Sequence, residues 1–100
     1  MNADAQQALR AIVRCIQTGR YQATAHFLGR MDERGIVWPD VLAALEDADD
    51  VRLGGTDPHG RQRWIVAGHA ADDLNIEIVC ALEGERHRRS AVFITIYWNG

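Results

Sequence analysis

The sequence predicts one α+β domain spanning residues 1–100, with three N-terminal helices packed on one face of a three- to four-stranded antiparallel β-meander. Two patterns carry the prediction. Apolar residues recur at helical spacing through the first half of the chain, then alternate strictly over Leu74–Leu82 and Ala91–Trp98. Composition agrees: 47% hydrophobic and 25% charged residues suit a packed core rather than disorder. One hundred residues also suffice for a core that needs no disulfide or metal staple.

In the first helix Leu9, Ile12, Val13 and Ile16 keep the helical rhythm, and Gly19 ends it. The second starts after Thr24, a good N-cap, and stops at Gly35, a good C′ residue. Phe27, Leu28 and Met31 are its packing side. The third begins at Pro39, a favoured first-turn residue, and offers Val41, Leu42, Leu45 and Ala48 to the core. Trp38 falls at the cap position, where its ring is better used in packing. A short strand follows at Val51–Leu53, a loop at Gly54–Gly60 and a strand at Gln62–Ala67. Turns at Ala70–Asp73 and Glu83–Arg86 bracket the strand at Leu74–Leu82.

Alternation places Leu74, Ile76, Ile78, Cys80 and Leu82 on the helix-covered face, with Val92, Ile94, Ile96 and Trp98 from the last strand. Arg61, Arg63, Glu77, Phe93, Thr95 and Tyr97 then fall on the other face. A polar face with aromatics suits nucleic acid, and equally a solvated surface or a dimer contact.

Charge is unevenly spread. The net charge of −3 gives no bulk attraction to nucleic acid. Yet Arg10, Arg14, Arg20 and Arg30 face only Asp4 before residue 31, while Asp40, Glu46, Asp47, Asp49 and Asp50 crowd the middle. Every basic residue is Arg, the side chain suited to bidentate phosphate contact. Cys15 and Cys80 form no CxxC motif and read as buried thiols of a reducing compartment. The polar start and the lack of a long apolar run predict a cytoplasmic protein with no membrane contact. His59, His69, Cys80 and His87 have no zinc-site spacing, so neither metal nor cofactor is expected.

The most informative segment is His26–Ile36. On a helix His26, Arg30 and Arg34 recur every four residues and form one stripe. Stacked cations at that spacing cost a few tenths of a kcal/mol, so the stripe points to a phosphate or carboxylate partner. The opposing possibility is that Arg30 and Arg34 pair with Asp32, Glu33 or Asp40, and that His26 only caps or packs.

The run His26, Arg30-Met31, Arg34-Gly35-Ile36 resembles an uncharacterised bacterial domain-of-unknown-function family with the signature His-Ala-x-x-Arg-Met-x-x-Arg-Gly-Ile. Phe27 stands here in place of its Ala, and Trp38 in place of the usual polar cap. That family resembles BrnT-type toxins and, more distantly, the RelE/ParE toxin superfamily. The likeness covers about residues 21–98, including Gly60–Gly68 as the basic second strand and Val92–Tyr97 as the closing one. It implies a metal-independent endoribonuclease of a toxin-antitoxin pair, with RNA (free or on the ribosome) and a cognate antitoxin as partners. His26 would be the acid or base, Arg30 and Arg34 would hold the scissile phosphate, and Arg61, Arg63 and Tyr97 would bind substrate. The competing expectation is a non-catalytic module on the same fold, binding a protein partner or homodimerising.

Overall fold

Helical spacing and alternation place most elements, and the sheet adds one that neither reveals. The computed structural model describes residues 2–70, 74–85 and 88–99. Along the chain run α1 (Ala3–Gln17), β1 (Tyr21–Ala23), α2 (Ala25–Arg34), α3 (Trp38–Glu46), β2 (Ala48–Thr56), β3 (Gln62–His69), β4 (Asn75–Glu83) and β5 (Ser90–Asn99). The sheet has five strands in the order β1-β5-β4-β3-β2. β2 through β5 form the antiparallel meander, whereas β1 pairs parallel to β5, Tyr21 opposite Ala91. The sheet is therefore mixed and wider than the expected three or four strands. Three residues, Tyr-Gln-Ala, are too few to alternate legibly; β1 exists because β5 offers it an edge. Most of the expected 70–73 turn, with Arg86 and His87, lies outside the described residues.

The helices start where their caps allow. Asn2 Oδ1 accepts from Ala5 N at 2.7 Å. Thr24 Oγ1 accepts from Phe27 N at 3.0 Å and donates to Ile94 O at 2.9 Å, fixing α2 to β5 as it begins. Gly35 ends α2 at φ 65°, the left-handed conformation that costs glycine least. α3 has no side-chain cap at Val37; instead Asp40 reaches back to accept from Val37 N at 3.1 Å. It stops at Glu46, so Ala48 opens β2 rather than closing α3. β2 is also longer than expected, absorbing Gly54 and Gly55 through register shifts against β3.

All three helices feed one core. Ala5, Ile12 and Cys15 from α1, Phe27 and Met31 from α2, and Val41, Ala44 and Leu45 from α3 meet Val51, Val66, Ile76, Ile78, Cys80, Ala91, Phe93 and Ile96 of the sheet. Trp38 packs as a ring, its centroid 5.9 Å from both Phe27 and Phe93, with Tyr21 edge-on at 5.6 Å. Leu28, expected to pack, is instead half exposed. The two thiols are buried and unbridged, and burial pushes Cys80 up to about 12.

One irregularity changes which residues share a face. Val79 opposes Thr95 but Cys80 opposes Phe93, so Ile94 is an extra residue in β5. The alternation read straight through Val92–Trp98 therefore slips by one. Phe93 enters the core, and Val92 leaves it for the open face. Strict period-two counting could not see a bulge.

At the far end, Asp57 closes the β2–β3 loop. Its side chain is 2% exposed and accepts from Arg61 Nε at 2.6 Å, Arg61 N at 2.8 Å and His59 N at 2.9 Å. Burial raises its carboxyl, but the hydrogen bonds from Arg61 and His59 prevail and hold it below the ordinary 3.8. A lowered carboxyl contributes stability that is complete above the unfolded value and lost as pH falls through the folded one. Asp57→Asn should lower Tm at pH 7, with the gap to wild type closing as pH falls below the ordinary carboxylate range and Asp57 becomes protonated in the folded state. Calorimetry across pH checks this; a gap constant with pH would refute it.

Candidate functional site

The face turned away from the helices is built by registered rows. Arg52, Ile65, Val79 and Thr95 form one row, and Asp50, Ala67, Glu77 and Tyr97 the next. Arg63, Ala81 and Val92 form a third. Val79, Ala81 and Val92 are buried yet stand outside the helix-covered core, since neighbouring long side chains lie over this face. Arg52 illustrates it, crossing β3 to pair with Glu77 as well as Asp50.

α2 runs beside β5 at the edge of this sheet, so two members of its stripe meet two β5 side chains. His26 Nε2 lies 3.1 Å from Thr95 Oγ1. One turn on, the Arg30 guanidinium sits 5.7 Å from the Tyr97 ring centroid, a cation–π distance. These partners are spaced two apart on β5 and four apart on α2. One helical turn of 5.4 Å roughly matches two strand residues at about 6.7 Å, which makes the double contact geometrically natural.

His26 keeps its other nitrogen available: Nδ1 has no hydrogen-bond partner among the described residues. If the Thr95 hydroxyl donates to Nε2, Nδ1 carries the proton; if Nε2 donates, Nδ1 is a base. The threonine thus selects which proton-handling role the imidazole plays. Thr95 itself is 8% exposed, so its hydroxyl is held in place by the sheet.

The arginines differ in how far the protein satisfies them. Arg30 has only a 3.8 Å approach to Glu33, whose side chain is 66% exposed, too long and too wet to neutralise it. Its Nε is buried and unpartnered among the described residues, and so is the Nε of Arg63 on β3. An unanswered buried donor costs about 1–3 kcal/mol, which an anion bound at either group would offset. Arg34 is exposed at the end of α2, on the stripe but beyond the sheet contacts. Arg61 is engaged elsewhere, held by Asp57 and by Glu83 at 2.7 Å. It is not brought to His26 and Arg30. Thr95, by contrast, was legible only as a face residue; no sequence pattern tied it to His26.

The candidate metal ligands within the described residues do not converge. His69 pairs with Asp49 at 2.6 Å, and Cys80 is in the core. Among the described residues no three His, Cys, Asp or Glu side chains converge as a metal site. Nor is any described helix long and apolar enough to cross a membrane.

Fold and site together define a small α+β domain carrying a His-Thr and Arg-Tyr arrangement where a helix meets the edge of an open sheet face. The chain belongs to the family described as Domain of unknown function (DUF4258), whose model matches residues 23–98. That span begins just before the α2 cap and ends at Trp98, so it contains every residue of the site. No curated protein and no solved structure matches the chain.

Proposed function

We propose that this domain is an endoribonuclease of the BrnT/RelE type, the toxin of a toxin-antitoxin pair, and that the α2–β5 site cleaves RNA. The observation that supports this most is the pairing of a hydroxyl-bound imidazole with an under-satisfied guanidinium one helical turn away. A reacting phosphodiester needs that pair: a group to move protons and a cation for the charge on the phosphorane.

The ribose 2′-OH attacks the adjacent phosphorus and gives its proton to a base. The bond from phosphorus to O5′ breaks, and O5′ takes a proton from an acid. The products are a 2′,3′-cyclic phosphate and a free 5′-OH. His26 moves the proton through Nδ1 while Thr95 positions the ring from Nε2. Arg30 binds the non-bridging oxygens, with Arg34 and Arg63 completing the phosphate contacts. Tyr97 is half exposed and offers a stacking face beside Arg30. Arg61 has its guanidinium occupied by carboxylates, which leaves it a minor part in binding.

The net charge of −3 and the exposed Leu28, Val37 and Trp98 favour a second reading, a non-catalytic module that docks a protein partner or a second copy. One experiment separates them. Purified protein is incubated with total and defined RNA in EDTA, and the new ends are mapped, alongside growth on induced expression. Cleavage with 5′-OH ends and growth arrest are expected. Intact RNA and normal growth, with folded protein present, would overturn the nuclease and favour the docking module.

A further inference from the structure

A second basic site lies away from α2. On α1, Gln7, Arg10, Arg14 and Gln17 recur at three- and four-residue spacing and share one exposed stripe. Arg20 joins them from the turn before β1, and Arg89 from just ahead of β5. Together they line a groove of about 720 Å³ in which four of the nine lining residues are arginines and none is a carboxylate.

The backbone holds these segments together. Arg20 N donates to Cys15 O at 2.8 Å, and Ala91 N donates to Arg20 O at 3.0 Å. The buried Cys15 thiol donates to Arg89 O at 3.3 Å. The parallel β1–β5 pairing is therefore what brings Arg20 alongside Arg89. Among the described residues Arg10, Arg14 and Arg89 have no carboxylate within 4.0 Å. Five of the acids fall between Asp40 and Asp50, and Asp4, the one acid of α1, does not line the groove. Clustered like charges cost stability, here with no internal compensation beside Arg10 and Arg14.

We infer that this groove binds consecutive backbone phosphates of single-stranded RNA. Guanidinium groups take phosphate oxygens bidentately, and several in one open groove suit a run of phosphates better than a single anion. No aromatic side chain lines it, so it holds the backbone without reading bases. The groove rests on the RNA reading of the α2 site, for which it supplies a second point of attachment outside the cleavage centre. It can be tested without cleavage.

The probe is a fluorescent 2′-O-methyl 12-mer, which cannot be cut, titrated by anisotropy between 50 and 200 mM salt. The paired substitution Arg10→Gln with Arg14→Gln removes two phosphate contacts from an exposed helix face. It should weaken binding about tenfold and reduce the salt slope by roughly 1.4, since each contact on a single strand contributes about 0.7. Thermal melting confirms that both forms fold. Equal affinity and slope in the double variant would overturn the inference. So would saturation by poly-glutamate with no competition from the oligonucleotide, which would make the groove a docking site for an acidic protein segment. Binding that persists in wild type with no cleavage anywhere would sink the nuclease and keep the groove.

Discussion

Gly68→Ala is expected to cost at least about 3 kcal/mol and lower Tm by roughly 12 °C or more, at 4–8 °C per kcal/mol for a domain of this size. Gly68 lies where α3 rests on β3. A Cβ built there would overlap the carbonyl oxygen of Ala44 and stand 2.8 Å from its carbon and 2.9 Å from its Cα. The obstacle is helix backbone, which cannot swing aside as a side-chain tip can. α3 would have to lift, uncovering Val41, Ala44 and Leu45, none of which is more than 1% exposed. Gly29→Ala supplies the contrast within the same molecule. Gly29 is in the exposed part of α2 with nothing within 4 Å of a new Cβ. There the substitution removes backbone freedom from the unfolded chain and should raise Tm by a few degrees, about 0.5–1 kcal/mol. Thermal or urea melts of the two variants decide it. A Gly68→Ala protein as stable as wild type would mean that α3 does not sit on β3 as described.

The same contact shows what a single sequence makes legible. Gly68 could be read only as the end of a basic strand; that it admits a helix is a tertiary fact. Local signals fared best where they were redundant. Thr24 and Gly35 bracket α2 because cap and C′ chemistry act within four residues. β4 alternates cleanly because both its neighbours are antiparallel. The failures have two physical sources. β1 is specified by its partner rather than by its own three residues, so no window over Tyr21–Ala23 could find it. Ile94 shifts the parity of β5, and a period-two count carries that error through every earlier residue, so Phe93 reads from the sequence as an open-face residue. The site divides likewise. The His26-Arg30 stripe follows from helical spacing, and Tyr97 from the face count. Thr95 needed the pairing of α2 with β5, and the engagement of Arg61 by Asp57 needed the fold of a loop.

His26→Ala should then reduce RNA cleavage by 10²–10⁴-fold in kcat, about 2.7–5.5 kcal/mol of transition-state stabilisation, while moving Tm by only a few degrees. The two effects separate because the His26 side chain is exposed and, among the described residues, makes one hydrogen bond, to Thr95, worth about 1 kcal/mol. Phe27 and Met31, on the buried side of α2, hold the helix in place without it. Thr95→Val keeps the shape of the side chain and removes the hydroxyl. If Thr95 only helps the sheet to pack, this variant keeps wild-type kinetics. If it sets the imidazole's tautomer and aim, kcat falls about tenfold with KM little changed, because the ring is then free to rotate and to exchange tautomers. Arg30→Lys adds the complementary arm. A lysine retains the charge but not the fork, so a loss approaching that of Arg30→Ala would assign the residue to bidentate phosphate contact rather than to its cation–π packing on Tyr97. Full cleavage by folded His26→Ala protein would remove α2 from the chemistry altogether.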